Sequence, residues 1–482
     1  MTDNKQFVFD YIDNNAGVFT DVSRKIWEYA ELSLKEHASA ALYCNVLRDF
    51  GFDVEEGICG MPTAFLGRWG SGRPVIGILG EYDALSGCSQ KAGTAVKEEL
   101  VPGGPGHGCG HNMLGAGSLA AACAVKAYLE KKGGPGTVIY YGCPGEEGGA
   151  GKAFMARENV WRDLDAALTW HPEDKNGVFT GSSLACIQKE YIFKGLSSHA
   201  ASTPHLGRSA LDAVQLMNMG VEFMREHMSQ DCRVHYAITD GGGVSPNVVQ
   251  PVAKVLYMVR STKVSRALAL QERVDKIARA AAMMTETELS VRFIDGLAEL
   301  VPNCALEELL YENLLLAGAP SYTEDEWAFA RALVDSYEVR PDETAAQQLS
   351  GVLSAEDIAF INEKSDNCKN PLLDFVIPYK TSEKCIMGST DVGDVSWQTP
   401  TSQITAACFP NNCPGHSWQN VSSGASSIGD KGLLYAGKVI AACAVDLFED
   451  PGHLRKAREE FEKRTAAGYD CPIPPDAVPT PV

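Results

Sequence analysis

The chain has 482 residues, with 42 basic against 62 acidic side chains and a formal charge of −20. That length suits two or three domains with real cores, and 45% apolar with 22% charged residues mark a folded globular chain rather than a disordered one. The acidic surplus argues against nucleic acid or an anionic membrane as partner, no run approaches the ~20 apolar residues of a membrane span, and the start MTDNKQFVFDYIDNN is too charged for a secretory signal.

Ile12 to Asp49 reads as largely helical, with Ile26, Trp27, Tyr29 and Ala30, then Ala41, Leu42, Val46 and Leu47, at helical spacing. Thr63–Arg68 and Pro74–Gly80 read as strands. The second is a continuous apolar run, PVIGILG, as expected of a strand covered on both faces. An Ala-rich helix follows over Met113–Lys132, then strands over Thr137–Gly142 and Asp165–Trp170. Strands alternating with helices predict an α/β fold with a mostly parallel sheet.

The rhythm changes near residue 186. Ile187–Gly195, Cys232–Thr239, Ala253–Ser261 and Leu289–Ile294 read as strands, and Gly207–His227 and Val264–Met284 as helices. That is the β-α-β-β-α-β order of an α+β, ferredoxin-like module, placed as an insertion. The expected organisation is one domain from residues 1–186 and 297–482, with 187–296 inserted. Residues 302–384 are polar and helix-rich, Lys431–Phe448 reads as a helix, and the closing CPIPPDAVPTPV is expected to lie extended on the surface. The 15 scattered cysteines, odd in number, fit reduced thiols in a cytoplasmic protein better than a disulfide framework.

Metal-capable side chains gather in four short segments, each just after a predicted strand or in a glycine-rich loop. Ligand sites of α/β sheets collect at such strand ends. In Gly106-His107-Gly108-Cys109-Gly110-His111-Asn112, a thiolate and an imidazole can reach one centre, and the glycines permit close backbone approach. His107 competes with His111 here but precedes the thiol. In Pro144-Gly145-Glu146-Glu147-Gly148-Gly149, two consecutive carboxylates in extended backbone would point to opposite sides. One could bind a cation while the other faces substrate as a base. A lone Glu-Glu pair is ordinarily a solvated turn; the strand end and glycines set this one apart. His171 closes the strand DAALTW, and His416 lies in the loop PGHSW. Cys109, His111, Glu147, His171 and His416, with Glu146 to spare, are the stock of a two-metal hydrolase.

In this order the segments resemble the M20 family of metallo-amidohydrolases and carboxypeptidases, in the branch acting on N-acyl and indole-acetyl amino acids. The matching pieces are GEYDAL (80–85), GHGCGHN (106–112), PGEEGG (144–149), the His of TWHP, SSHAA (197–201), GGGVSPNVVQPVAKVLYMVR (241–260) and PGHSW (414–418). HLGRSALDAV, RVHYAIT, STDVGDVSW and CPIP narrow the likeness to members that act on p-aminobenzoyl-glutamate.

The resemblance implies a metallopeptidase-like catalytic domain with a lid or dimerisation domain inserted at 187–296. It implies two divalent cations, zinc or manganese, held by Cys109, His111, Glu147, His171 and His416, with Glu146 as general base. It implies His199 as a donor to the tetrahedral intermediate, often across a dimer interface, and Asn247 and Arg260 near a substrate carboxylate. The family's usual His-x-Asp is here Glu81-Tyr82-Asp83, which leaves Asp83 orienting a ligand rather than binding. The implied partners are an N-acyl amino acid and either a second copy of the chain or a homologous A subunit. The alternatives are an aminoacylase or carboxypeptidase of other acyl preference, or a non-catalytic subunit of a mixed hydrolase.

Overall fold

The computed structural model describes residues 1–338, 345–349 and 351–481. Its strands in chain order are β1 (Asp53–Glu56), β2 (Phe65–Ser71), β3 (Val75–Glu81), β4 (Gly136–Cys143), β5 (Ala166–Glu173), β6 (Gly177–Val178), β7 (Ala185–Lys194), β8 (Arg233–Asp240), β9 (Val252–Ser261), β10 (Glu288–Leu297) and β11 (Thr401–Ala407). They form two sheets.

The larger sheet has the order β1-β2-β4-β3-β5-β11-β6. Its central four strands, β4, β3, β5 and β11, run parallel, and the outer pairings are antiparallel. The α/β, mostly parallel fold is thus the one predicted. Every residue of β3 is buried, as its unbroken apolar run requires. The Ala-rich helix His111–Lys132 packs on β3 and against the helix Ser427–Glu449. Small residues let it approach closely: a Cβ at Gly117 would meet Trp170 at 2.7 Å and the Leu433 carbonyl at 2.9 Å. The register sets Glu81 level with Cys143, and His171 level with Thr405, so the carboxyl ends of the parallel strands finish along one edge.

The smaller sheet, β10-β7-β9-β8, is wholly antiparallel. The helices Ala210–Arg225 and Val264–Thr285 pack on it around Tyr191, Met217, Val221, Val255, Tyr257 and Val274. The Ser209 side chain caps the first of these helices.

Several expectations need adjustment. The N-terminal helical stretch is three helices, beginning at Asp3 with Thr2 as its cap. The closing tail is non-helical but does not simply lie on the surface. Ile473 is 3% exposed, Pro472 meets Gly296, and Arg157 donates to the carbonyls of Pro474 and Ala477. The described parts of 302–384 include the helices Cys304–Ala317, Glu324–Asp335 and Ala355–Lys364; residues 339–344 and 350, like Val482, lie outside the described residues. Among the described residues, no helix is long and apolar enough to cross a membrane.

Candidate metal centre

The four predicted segments meet at the carboxyl edge of the parallel strands. Cys109 lies in the turn before the helix His111–Lys132, whose start is set by Gly110 at φ +82°. A Cβ at Gly110 would crowd Met113, Phe409 and Pro172 at 2.8–3.0 Å, so glycine is needed there for space as well as for its backbone angle. His111 is the first residue of that helix and is fully buried.

Donor atoms of Cys109, His111 and His171 lie within 4.8 Å of one another, and so do those of Cys109, Glu147 and His416. The Cys109 Sγ is 3.4 Å from His171 Nε2, and His416 Nε2 is 3.6 Å from Glu147 Oε1. Each imidazole with a bonded second nitrogen has its Nε2 turned inward. His171 Nδ1 bonds the Pro172 carbonyl at 2.8 Å, and His111 Nδ1 bonds Asp83 Oδ1 at 2.8 Å.

Asp83 therefore sits where an orienting group would. Its Oδ2 also accepts from Ser33 Oγ at 2.7 Å and from the Glu147 N–H at 2.9 Å, tying the Cys-x-His loop to the Glu-Glu turn. Against the effect of burial, the His111 ring and these donors hold its carboxyl well below the usual range. The turn is fixed on its other side by Glu36, whose Oε1 accepts from Gly145 N and Leu34 N; burial and then Asp83 push the Glu36 carboxyl up to about 8.

Glu146–Gly149 form a turn, not the extended pair expected from sequence, yet the two carboxylates still diverge. Glu147 faces His416 and Cys109, and Glu146 Oε2 lies 4.0 Å from His111 Nε2. His107, the competing imidazole, is buried elsewhere. Its Nε2 bonds the Ile26 carbonyl at 3.0 Å, and burial pushes its pKa down to about 4.

The chemistry of this donor set fits divalent cations. His111 Nε2 and Glu147 Oε1 are buried without a hydrogen-bond partner, the condition of atoms arranged for a metal rather than for each other. Burial first, then Glu81 and Glu147, push the Glu146 carboxyl well above its usual range. Burial and Glu147 likewise push the Cys109 thiol up. A positive centre among these groups would supply the counter-charge that their crowding demands.

Lys152 and Asp391 at this edge were not singled out from the sequence, and Glu81 was named only within Glu81-Tyr82-Asp83, with no role of its own. All three are buried. Lys152 Nζ bonds Glu81 Oε1 at 2.6 Å and Asp391 Oδ1 at 2.5 Å. The criterion that flagged His171, a polar residue closing an apolar strand, would also have found Glu81. Lys152 is the lone charge in the buried first turn of the helix Gly151–Arg157.

The predicted residues within 187–296 do not join this cluster within one chain. His199 is exposed, and its Nδ1 accepts from the Ala201 and Ser202 N–H groups at 3.2 Å. Asn247 is exposed, and its carbonyl accepts from Ala200 N. Arg260 is half-buried at the end of β9 and donates to Ser389 Oγ at 2.9 Å, two residues before Asp391. A cleft of about 240 Å³ opens over Cys109, His171, Glu173, Phe409 and His416.

A parallel-sheet edge carrying one thiol, three imidazoles and paired carboxylates is a donor set of the kind a metallohydrolase uses. The chain belongs to the peptidase family M20/M25/M40, whose family model matches residues 77–417, and it is a hydrolase of that family. It is 43% identical, over all of both chains, to the B subunit of the p-aminobenzoyl-glutamate hydrolase of Escherichia coli strain K12. Its fold is also that of an aminobenzoyl-glutamate utilization protein from Klebsiella pneumoniae (TM-score 0.52, 18% identity, covering 68% of this chain and 90% of that one). A dinuclear metal-binding M20 peptidase from Bacillus subtilis shares the fold at 14% identity (TM-score 0.50, 89% and 98% covered).

Proposed function

We propose that this chain hydrolyses the amide bond of p-aminobenzoyl-glutamate, releasing p-aminobenzoate and glutamate, with two divalent cations, zinc or manganese, held by Cys109, His111, Glu147, His171 and His416. The observation that carries this reading is the convergence of those five side chains, with Glu146 beside them and not needed as a ligand. When bound, the cations supply Lewis acidity that activates water and polarises the scissile carbonyl. Glu146 takes the proton of the attacking water on a carboxylate oxygen and returns it to the leaving amide nitrogen.

His199 is assigned to the oxyanion. With Nδ1 accepting from two backbone N–H groups, the ring carries its proton on Nε2 and can donate from it. Its exposure and its separate bonding support action on the cluster of a second chain, in a homodimer or in a heterodimer with a homologous A subunit. Mixing a His199→Ala protomer with a Glu146→Gln protomer is then expected to restore activity that neither has alone. A mixture as inactive as its parts rejects action in trans.

Arg260 and Asn247 are assigned to the glutamate carboxylates, a guanidinium pairing with a carboxylate in fork geometry. This gives an acidic protein a local reason to accept an acidic substrate. The fifteen unpaired cysteines support a reducing compartment, the cytoplasm. The deciding experiment assays the metal-loaded chain on a panel of N-acyl amino acids, alone and with an A-type partner. Release of p-aminobenzoate above all other products is expected, with Arg260→Ala raising KM most for dicarboxylic substrates. Equal turnover of monocarboxylic substrates, or equal KM effects on both classes, removes the specificity assignment. No turnover in either arm removes the hydrolase reading.

A further inference from the structure

A further carboxylate closes on His111 from the strand side. Glu81 ends β3, is 2% exposed, and offers an atom within 4.8 Å of both His111 and Glu146. Its two oxygens have different surroundings. Oε1 accepts from Lys152 Nζ at 2.6 Å, whereas Oε2 lies 3.3 Å from His111 Nε2. That nitrogen is fully buried and makes no hydrogen bond, while the other ring nitrogen, Nδ1, bonds Asp83.

The plain role for Glu81 is counter-ion to Lys152. That role accounts for Oε1 and leaves Oε2 unexplained. A buried carboxylate oxygen held beside a buried ring nitrogen, without the geometry of a hydrogen bond, is the arrangement of two donors sharing a third body. Nitrogen and oxygen ligands at about 2.0–2.1 Å from one tetrahedral cation stand roughly 3.3–3.4 Å apart, the edge of the tetrahedron. The separation of Glu81 and His111 falls on that edge.

Lys152 explains why Glu81 is held in this pose. Its ammonium is gripped from the far side by Asp391 Oδ1 at 2.5 Å, and its backbone N–H donates to Asp391 Oδ2 at 2.9 Å. Lys152 and Asp391 are both fully buried, so the ammonium has little freedom to wander. It draws one oxygen of Glu81 and leaves the other directed at the ring. Asp391 lies on the loop whose Ser389 receives Arg260 from the smaller sheet, so the clamp is anchored in both layers of the molecule.

We propose that Glu81 is a sixth protein donor of the metal centre, on the His111 side, and that Lys152 and Asp391 are positioning residues that present it. This assignment rests on the two-cation reading. In crystals of the full chain loaded with Mn²⁺ or Zn²⁺, anomalous scattering should place a cation within roughly 2.4 Å of a Glu81 oxygen. In solution, Glu81→Gln should weaken one of the two cations by at least about tenfold and alter the visible spectrum of the Co²⁺-loaded protein, with Lys152→Met moving both readouts in the same direction. Two cations with Glu81 remote from either, or an unchanged Co²⁺ spectrum and unchanged affinity in Glu81→Gln, overturns this inference and leaves the two-cation reading standing. A wild-type chain that takes up neither Mn²⁺, Zn²⁺ nor Co²⁺ overturns both.

Discussion

Glu146→Gln is expected to keep two cations per chain and to lose about 10²–10⁴-fold in kcat, the usual contribution of a positioned acid–base group. The turn that carries it is held by other groups. Gly145 N is bonded to Glu36 and Glu147 N to Asp83, and neither bond involves the Glu146 side chain. The neutral amide is of nearly the same shape, so the turn and the Glu147 donor should stay in place. The charge itself is unwelcome in the fold, since burial and the neighbouring Glu81 and Glu147 carboxylates all work against it. Replacing it should therefore cost no stability in the cation-free chain, whose thermal unfolding should match or exceed that of the cation-free parent. What the amide cannot do is take a proton from water and give it back. Loss of turnover with intact cation content and fold isolates that step. Activity within a factor of a few of the parent moves the base elsewhere, and loss of a cation makes Glu146 a ligand instead.

Much of this architecture could be read from residue patterns, and the exceptions have physical reasons. Val75–Glu81 is legible because a strand buried on both faces has no polar alternation to confuse it. Thr401–Ala407 is also buried throughout, yet Thr401, Ser402, Gln403 and Thr405 hide it, since hydropathy misses polar side chains in a buried strand. The donor residues announced themselves through glycines and strand ends, the features that let backbone and side chain approach a ligand. Lys152 gave no such signal. A buried ammonium depends on partners distant in sequence, Glu81 and Asp391, and only the fold shows that both are within reach. The burial of Ile473 escaped for a related reason: a proline-rich tail has no periodicity, and its docking depends on the surface it meets.

Cys109 is the donor shared by the group that includes His171 and the group that includes His416, so Cys109→Ala is expected to cost both cations, where His416→Ala should cost one. Its sulfur faces His171 directly and stands within 4.8 Å of His111, Glu147 and His416. Removing it takes away a negative charge that two divalent cations would share. Cation content should fall from two per chain to below one, and turnover by more than about 100-fold, beyond the usual effect of losing a group that merely supports a ligand. Stability offers a second readout. Cations that bind only the folded chain add about 4 kcal/mol at a thousand times their dissociation constant, so the parent should gain thermal stability on loading and the variant should not. The thiol must also shed its proton to bind, and burial among carboxylates makes that proton hard to remove. Cation affinity of the parent should therefore climb with pH, and the slope of log affinity against pH should drop by one in Cys109→Ala. Two cations retained by that variant, or an unchanged slope, would mean that the sulfur stands beside the centre without bridging it.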